Sequence, residues 1–201
     1  LIEVINSYKS NTSFFKENNI PSDKPVVAFL PGSRIQEIKT MLPIFLSIIS
    51  NYPDYNFIIA GVNNVHPKLY DLGTHPNLFI VYNKTYDLLT NSFAAIVTSG
   101  TASLECSLFK IPQLVCYKTS FLSFFVGKLF VKLEHISLVN IILKKNVIKE
   151  LIQNDLNEKN LTHEFEKLCN KEIRSGIINE YSKIYDLLSV RDTTKKIASS
   201  I

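Results

Sequence analysis

The chain has 201 residues, 46% of them hydrophobic and 20% charged, enough apolar material for one sizeable core and too much for a disordered segment. Its formal net charge of +4 is mild and its Lys and Arg residues are spread along the chain, which argues against nucleic acid as a partner, because such domains gather their basic residues into a patch or stripe. No apolar run approaches the roughly 20 residues that span a bilayer, and Leu1-Ile2-Glu3-Val4 lacks the pattern of a secretory leader, so a cytoplasmic setting is expected.

After a polar opening from Ser7 to Asp23, the chain repeats one theme: a short β-branched or aromatic run, a turn, then a helical pattern. Pro25 to Leu30 predicts the first strand and Ile35 to Ser50 a helix with apolar residues at Ile38, Leu42, Phe45 and Ile49. Tyr55 to Ala60 predicts a second strand, with a helix near Pro67 to Leu72. Leu78 to Val81 and Ala94 to Val97 predict the third and fourth, with a helix over Thr85 to Asn91 between them. A helix over Thr101 to Phe109 leads to a fifth strand at Gln113 to Tyr117. Strands that are continuously apolar, alternating with helices, predict a Rossmann-like parallel α/β sheet with helices on both faces. From about Leu143 the pattern turns helical, near Val147 to Gln153, Glu158 to Asn170 and Ile177 to Leu188, which predicts a helical tail with its boundary between residues 141 and 146.

Two turns are suited to chemistry. Leu30-Pro31-Gly32-Ser33-Arg34 lies at the end of the first strand and the mouth of the following helix, where open α/β sheets bind ligands. Gly32 permits a tight turn, free N–H groups at the helix start favour an anion, and Arg34 adds a charged fork; an ordinary turn with a solvent-facing Arg is the plain alternative. Thr98-Ser99-Gly100-Thr101-Ala102-Ser103-Leu104-Glu105 repeats this logic after the fourth strand. Glu105 lies one helical turn beyond Thr101, suited to accept hydrogen bonds from ribose hydroxyls, against the alternative of a hydroxyl N-cap with an exposed Glu. Two such turns together favour a nucleotide.

Other features are less specific. Asn140, in His135-Ile136-Ser137-Leu138-Val139-Asn140, has an amide that suits a sugar or base, or a plain turn. Ser120 to Leu133 sets Phe beside Lys, fitting an anionic membrane surface or burial under the tail. Cys106, Cys116 and Cys169 lack the spacing of a disulfide framework or zinc site, and no histidine has a partner at metal-ligand spacing, so buried free thiols and no metal are expected. Nucleophile elbow and Walker loop are both missing.

In this order Leu30 to Ile38, Thr98 to Glu105, Pro112 to Lys118, Ile136 to Ile142 and Val147 to Gln153 resemble the lipid-A-disaccharide synthases. One departure is Val139, where that family usually has Pro. The resemblance implies the C-terminal, UDP-binding half of a GT-B glycosyltransferase: a connector from an N-terminal domain over residues 1–23, a nucleotide-sugar-binding domain over 24–142, and a helical extension over 143–201. It implies transfer of 2,3-diacylglucosamine from UDP-2,3-diacylglucosamine to 2,3-diacylglucosamine 1-phosphate, giving the β-1,6-linked lipid A disaccharide and UDP. Gly32, Ser33, Arg34, Ser99, Gly100 and Thr101 would hold the diphosphate, Glu105 the ribose, and Asn140 would line the donor pocket. The base, an Asp, would belong to the N-terminal domain, leaving no catalytic residue here and no activity in this chain by itself. No cofactor is implied, since the UDP-sugar is a substrate. The partners implied are the lipid acceptor, the inner-membrane surface of a Gram-negative bacterium through Phe121 to Phe130, the N-terminal domain and a second copy in a homodimer. A UDP-N-acetylglucosamine epimerase, a peptidoglycan N-acetylglucosaminyltransferase and a non-catalytic nucleotide-binding module are the alternatives.

Overall fold

A computed structural model describes residues 1–70, 73, 75–119 and 134–198. The chain opens with two short helices, α1 (Ile2–Ser7) and α2 (Phe14–Glu17). Then come β1 (Val26–Leu30), α3 (Ile35–Leu46), β2 (Asn56–Gly61), β3 (Leu78–Tyr82), α4 (Thr85–Thr90), β4 (Ala94–Thr98), α5 (Thr101–Leu108) and β5 (Gln113–Tyr117). Beyond residue 134 follow α6 (Leu138–Leu143), β6 (Glu150–Ile152), α7 (Glu158–Cys169) and α8 (Lys171–Ala198). Single 3-10 turns at Ile49–Asn51, Pro67–Tyr70 and Gln153–Asp155 complete the order.

The six strands form one sheet in the order β3-β2-β1-β4-β5-β6, with every pairing parallel. Every residue of β1, β2 and β4 is buried. Continuous apolar runs such as Val26-Val27-Ala28-Phe29-Leu30 therefore belong in a sheet covered on both faces, where an alternating strand would expose half its side chains. Strand order runs outward from β1 in one direction and from β4 in the other. Neighbouring β1 and β4, in register at Val27↔Ala94 through Leu30↔Val97, thus make the switch point at which such sheets open a crevice.

Aromatic side chains fill the core on one side, with Phe29 against Phe45 at 5.4 Å and Phe57 at 5.1 Å between ring centroids, and Phe165 of α7 against Tyr52 at 4.8 Å. Ile2, Phe14 and Ile20 of the opening segment join the same core.

The tail differs from the sequence expectation. Residues 147–153, read as helical, contain β6, the sheet's sixth strand, paired with β5 from Val115↔Glu150 to Tyr117↔Ile152. The Lys149 carbonyl accepts from the Val115 N–H at 3.0 Å, so this segment satisfies an edge of β5 that would otherwise lack partners. Three strand residues are too few for a period of two to stand out against one of 3.6. Beyond it, Leu161, Phe165 and Leu168 of α7 and Ile177, Tyr181 and Ile184 of α8 are all buried. Gln113 in β5 donates to the Ser103 carbonyl at 2.8 Å and to the Tyr181 hydroxyl at 3.1 Å, tying α8 to the sheet. Residues 143–188 thus complete the sheet and its core instead of extending from them as helices alone. The Phe121 to Phe130 surface lies outside the described residues.

Candidate functional site

Parallel pairing puts the C-terminal ends of β1 and β4 side by side, so the turns that follow them face one another. They line one cleft of about 420 Å³, with Gly32, Ser33 and Arg34 on one side and Ser99, Gly100 and Thr101 on the other. Glu37 and Glu105 also line it. Both turns therefore reach a single crevice at the switch point, as the sequence spacing required.

Within the first turn Gly32 has φ +100°, a region that side chains with a Cβ rarely occupy. A Cβ at this position would stand 2.3 Å from Glu37 Oε2. That carboxylate is the turn's organiser: its Oε2 accepts from the Ser33 N–H at 3.1 Å and the Arg34 N–H at 3.2 Å, and its Oε1 from Arg34 Nη1 at 2.9 Å. The N–H groups expected to be free for an anion are occupied by the chain's own Glu37. Glu37 belongs to the block that carries the family resemblance, and an acidic residue three positions after a helix N-cap is the signature of a capping box.

On the β4 side Ser99 also differs from expectation. Its N–H donates to the Cys116 carbonyl at 3.0 Å and its hydroxyl to the Ile136 carbonyl at 2.9 Å. Ser99 thus ties the loop to β5 and to residue 136, with no donor left for a ligand. Gly100, Thr101 and Ala102 supply what Ser99 does not: at the start of α5 their N–H groups have no acceptor among the described residues. At the cleft floor Thr98 is 7% exposed and its hydroxyl has no partner among the described residues.

Glu105 stands one turn further along α5, where it accepts from the Tyr86 hydroxyl at 3.4 Å. Tyr86 is held by aromatic contacts with Tyr8 at 5.4 Å and Phe109 at 5.1 Å. Burial pushes the Glu105 carboxyl above its ordinary value, and the Tyr86 hydroxyl partly offsets this. A carboxylate kept half dry beside an open cleft is ready to accept hydrogen bonds from a ligand's hydroxyls.

Asn140 does not line this cleft. It sits in α6, fully buried, and its amide is saturated internally. Its Nδ2 donates to the Ile148 carbonyl at 2.8 Å and to Glu150 Oε1 at 2.9 Å, while its Oδ1 accepts from the N–H groups of Val147 at 2.9 Å and Ile148 at 3.0 Å. The expected pocket residue is instead a clamp that joins α6 to the strand completing the sheet. Cys106 and Cys116 are buried free thiols and Cys169 is half-buried. Among the described residues no group of His, Cys, Asp or Glu is placed to hold a metal, and no helix is long and apolar enough to cross a membrane.

A family model described as lipid-A-disaccharide synthetase matches residues 1–199. The chain belongs to the lipid-A-disaccharide synthase family. Its relative from Persephonella marina, a lipid-A-disaccharide synthase, is 30% identical over an alignment covering 100% of this chain and 56% of the relative. The family match thus extends through α8, beyond the blocks from Leu30 to Gln153 that carry the resemblance in sequence. In general the chain spans about half the length of the curated relatives it matches. Among solved structures, the calicheamicin glycosyltransferase CalG4 superposes with a TM-score of 0.60 at 15% identity, over 88% of this chain and 42% of its own. MnaA of S. aureus, solved with UDP, gives a TM-score of 0.56 at 16% identity, over 88% of this chain and 44% of its own. At such identities the likeness is one of fold, and it is to one half of a GT-B enzyme.

Proposed function

We propose that this chain is the donor-binding half of a lipid-A-disaccharide synthase. In that reaction the bond from the sugar C1 to the UDP β-phosphate breaks. The 6-hydroxyl oxygen of 2,3-diacylglucosamine 1-phosphate bonds to C1, and the hydroxyl proton passes to a base. The products are the β-1,6-linked disaccharide and UDP.

The convergence of the two turns on one crevice at the β1–β4 switch point carries this reading. Negative charge develops on the departing diphosphate, and the N–H groups of Gly100, Thr101 and Ala102 would meet that charge, with Arg34 across the cleft adding its guanidinium once it parts from Glu37. Glu105, held by Tyr86, would accept from the ribose hydroxyls. A UDP-bound protein of the same fold, MnaA, supports the choice of nucleotide. The base, the acceptor site and the second wall of the cleft would belong to the rest of the family protein, so this chain alone should not turn over. Acylated substrates imply work at the cytoplasmic surface of the inner membrane.

Isothermal titration with UDP tests the proposal. Binding that Arg34→Ala and Glu105→Ala each weaken roughly tenfold to a hundredfold, the range for hydrogen bonds to charged groups, supports it. Binding equal in both variants and the unmodified chain would refute it.

A further inference from the structure

Glu37 fills the first turn of the cleft. Its carboxylate takes the Ser33 and Arg34 N–H groups and one arm of the Arg34 guanidinium, in the space left by the missing Cβ of Gly32. The cleft therefore presents two carboxylates, Glu37 and Glu105, and a single guanidinium that is already paired. A diphosphate entering that arrangement meets like charge, and its oxygens cannot share with Glu37 N–H groups that each carry one hydrogen. The Arg34 side chain is 82% exposed and that of Glu37 28% exposed, so the ion pair sits at the mouth of the cleft with room to part.

We infer that Glu37 is a specificity-determining residue of the donor site: an internal anion that the ligand's diphosphate displaces from the Ser33 and Arg34 N–H groups. The inference rests on the UDP-donor reading above. Displacement frees the Arg34 fork for phosphate, and its cost falls on every anion that enters. A ligand gripped elsewhere as well, by Glu105 and the α5 N-terminus, overcomes that cost; a lone phosphate does not. If Glu37 were only a helix cap, its loss would loosen the turn and weaken binding, so the two roles predict opposite signs.

Glu37→Gln keeps the shape and removes the charge. Titrated with UDP it should bind roughly tenfold tighter than the unmodified chain, the scale of one charge-assisted hydrogen bond, while uridine, which has no phosphate, binds both equally. UDP binding that is unchanged or weaker in Glu37→Gln overturns the inference. If the unmodified chain binds no UDP, the donor-site reading fails along with it, whereas unmodified binding without the gain sinks this inference alone. Should the variant not fold, judged by circular dichroism, a crystal structure of the unmodified chain with UDP decides. Glu37 moved off both N–H groups is expected, and Glu37 still bonded to them is the refuting result.

Discussion

Replacing Gly32 by Ala tests the first turn quantitatively. At φ +100° an alanine is strained by about 1–2 kcal/mol. Its Cβ would also stand 2.3 Å from Glu37 Oε2 and 2.7 Å from Glu37 Cβ, far inside the roughly 3.5–4.0 Å of ordinary contact. The Glu37 carboxylate must leave and the backbone must shift to part the two Cβ atoms, forfeiting a cap worth about 1 kcal/mol and an exposed ion pair worth at most about 1 kcal/mol. The sum is about 3 kcal/mol, or a fall in melting temperature of roughly 6–12 °C for a chain of this size. Scanning calorimetry of Gly32→Ala, Glu37→Ala and the double variant measures both parts. If the alanine acts through Glu37, its cost falls by about 1–2 kcal/mol once Glu37 is gone. Costs that add within about 0.5 kcal/mol, or a Gly32→Ala melt within about 2 °C of the unmodified chain, would refute the reasoning.

Asn140→Ala removes four internal hydrogen bonds and takes their side-chain partner from the buried Ile148 N–H and carbonyl, while the Val147 N–H keeps the Lys145 carbonyl and Glu150 Oε1 keeps Ser137. It should cost about 3–5 kcal/mol in chemical denaturation, with UDP affinity unchanged in whatever remains folded; a selective loss of UDP binding with little destabilisation would return Asn140 to the ligand site. Glu105 carries a carboxyl raised above its ordinary value of 4.5. Between that value, which the unfolded chain keeps, and the higher folded value, the folded state holds the proton longer, so stability falls as pH rises through that window. Glu105→Gln should therefore melt higher at neutral pH and lack this slope while losing UDP affinity. An unchanged pH profile would show that the carboxyl is not desolvated in the fold.

The parts of this molecule written in local sequence were legible and those settled by distant partners were not. Short β-branched runs bounded by turns show strands β1 to β5 to within a residue or two, and in β1, β2 and β4 burial on both faces leaves a continuous apolar signature. Gly32 and Gly100 mark the two turns, and position after a strand brings them together. Local pattern does not show where a polar side chain spends its hydrogen bonds. Ser99 gives its hydroxyl to residue 136, and Asn140 turns inward to Ile148 and Glu150, partners fixed only when α6 and β6 dock. The same docking makes a strand of a segment whose apolar spacing fitted a helix. The role of Glu37 is legible, since its distance from the N-cap of α3 is that of a capping box, and such a carboxylate takes the N–H groups that a helix start otherwise leaves open.

The measurement that bears most directly on the central claim is a crystal structure of the chain with UDP. The account predicts the diphosphate in the crevice between β1 and β4, within hydrogen-bond reach of the Gly100 and Thr101 N–H groups on one side and Arg34 on the other, with the ribose at Glu105. Nucleotide bound anywhere else on the sheet, or gripping only one of the two turns, would contradict it.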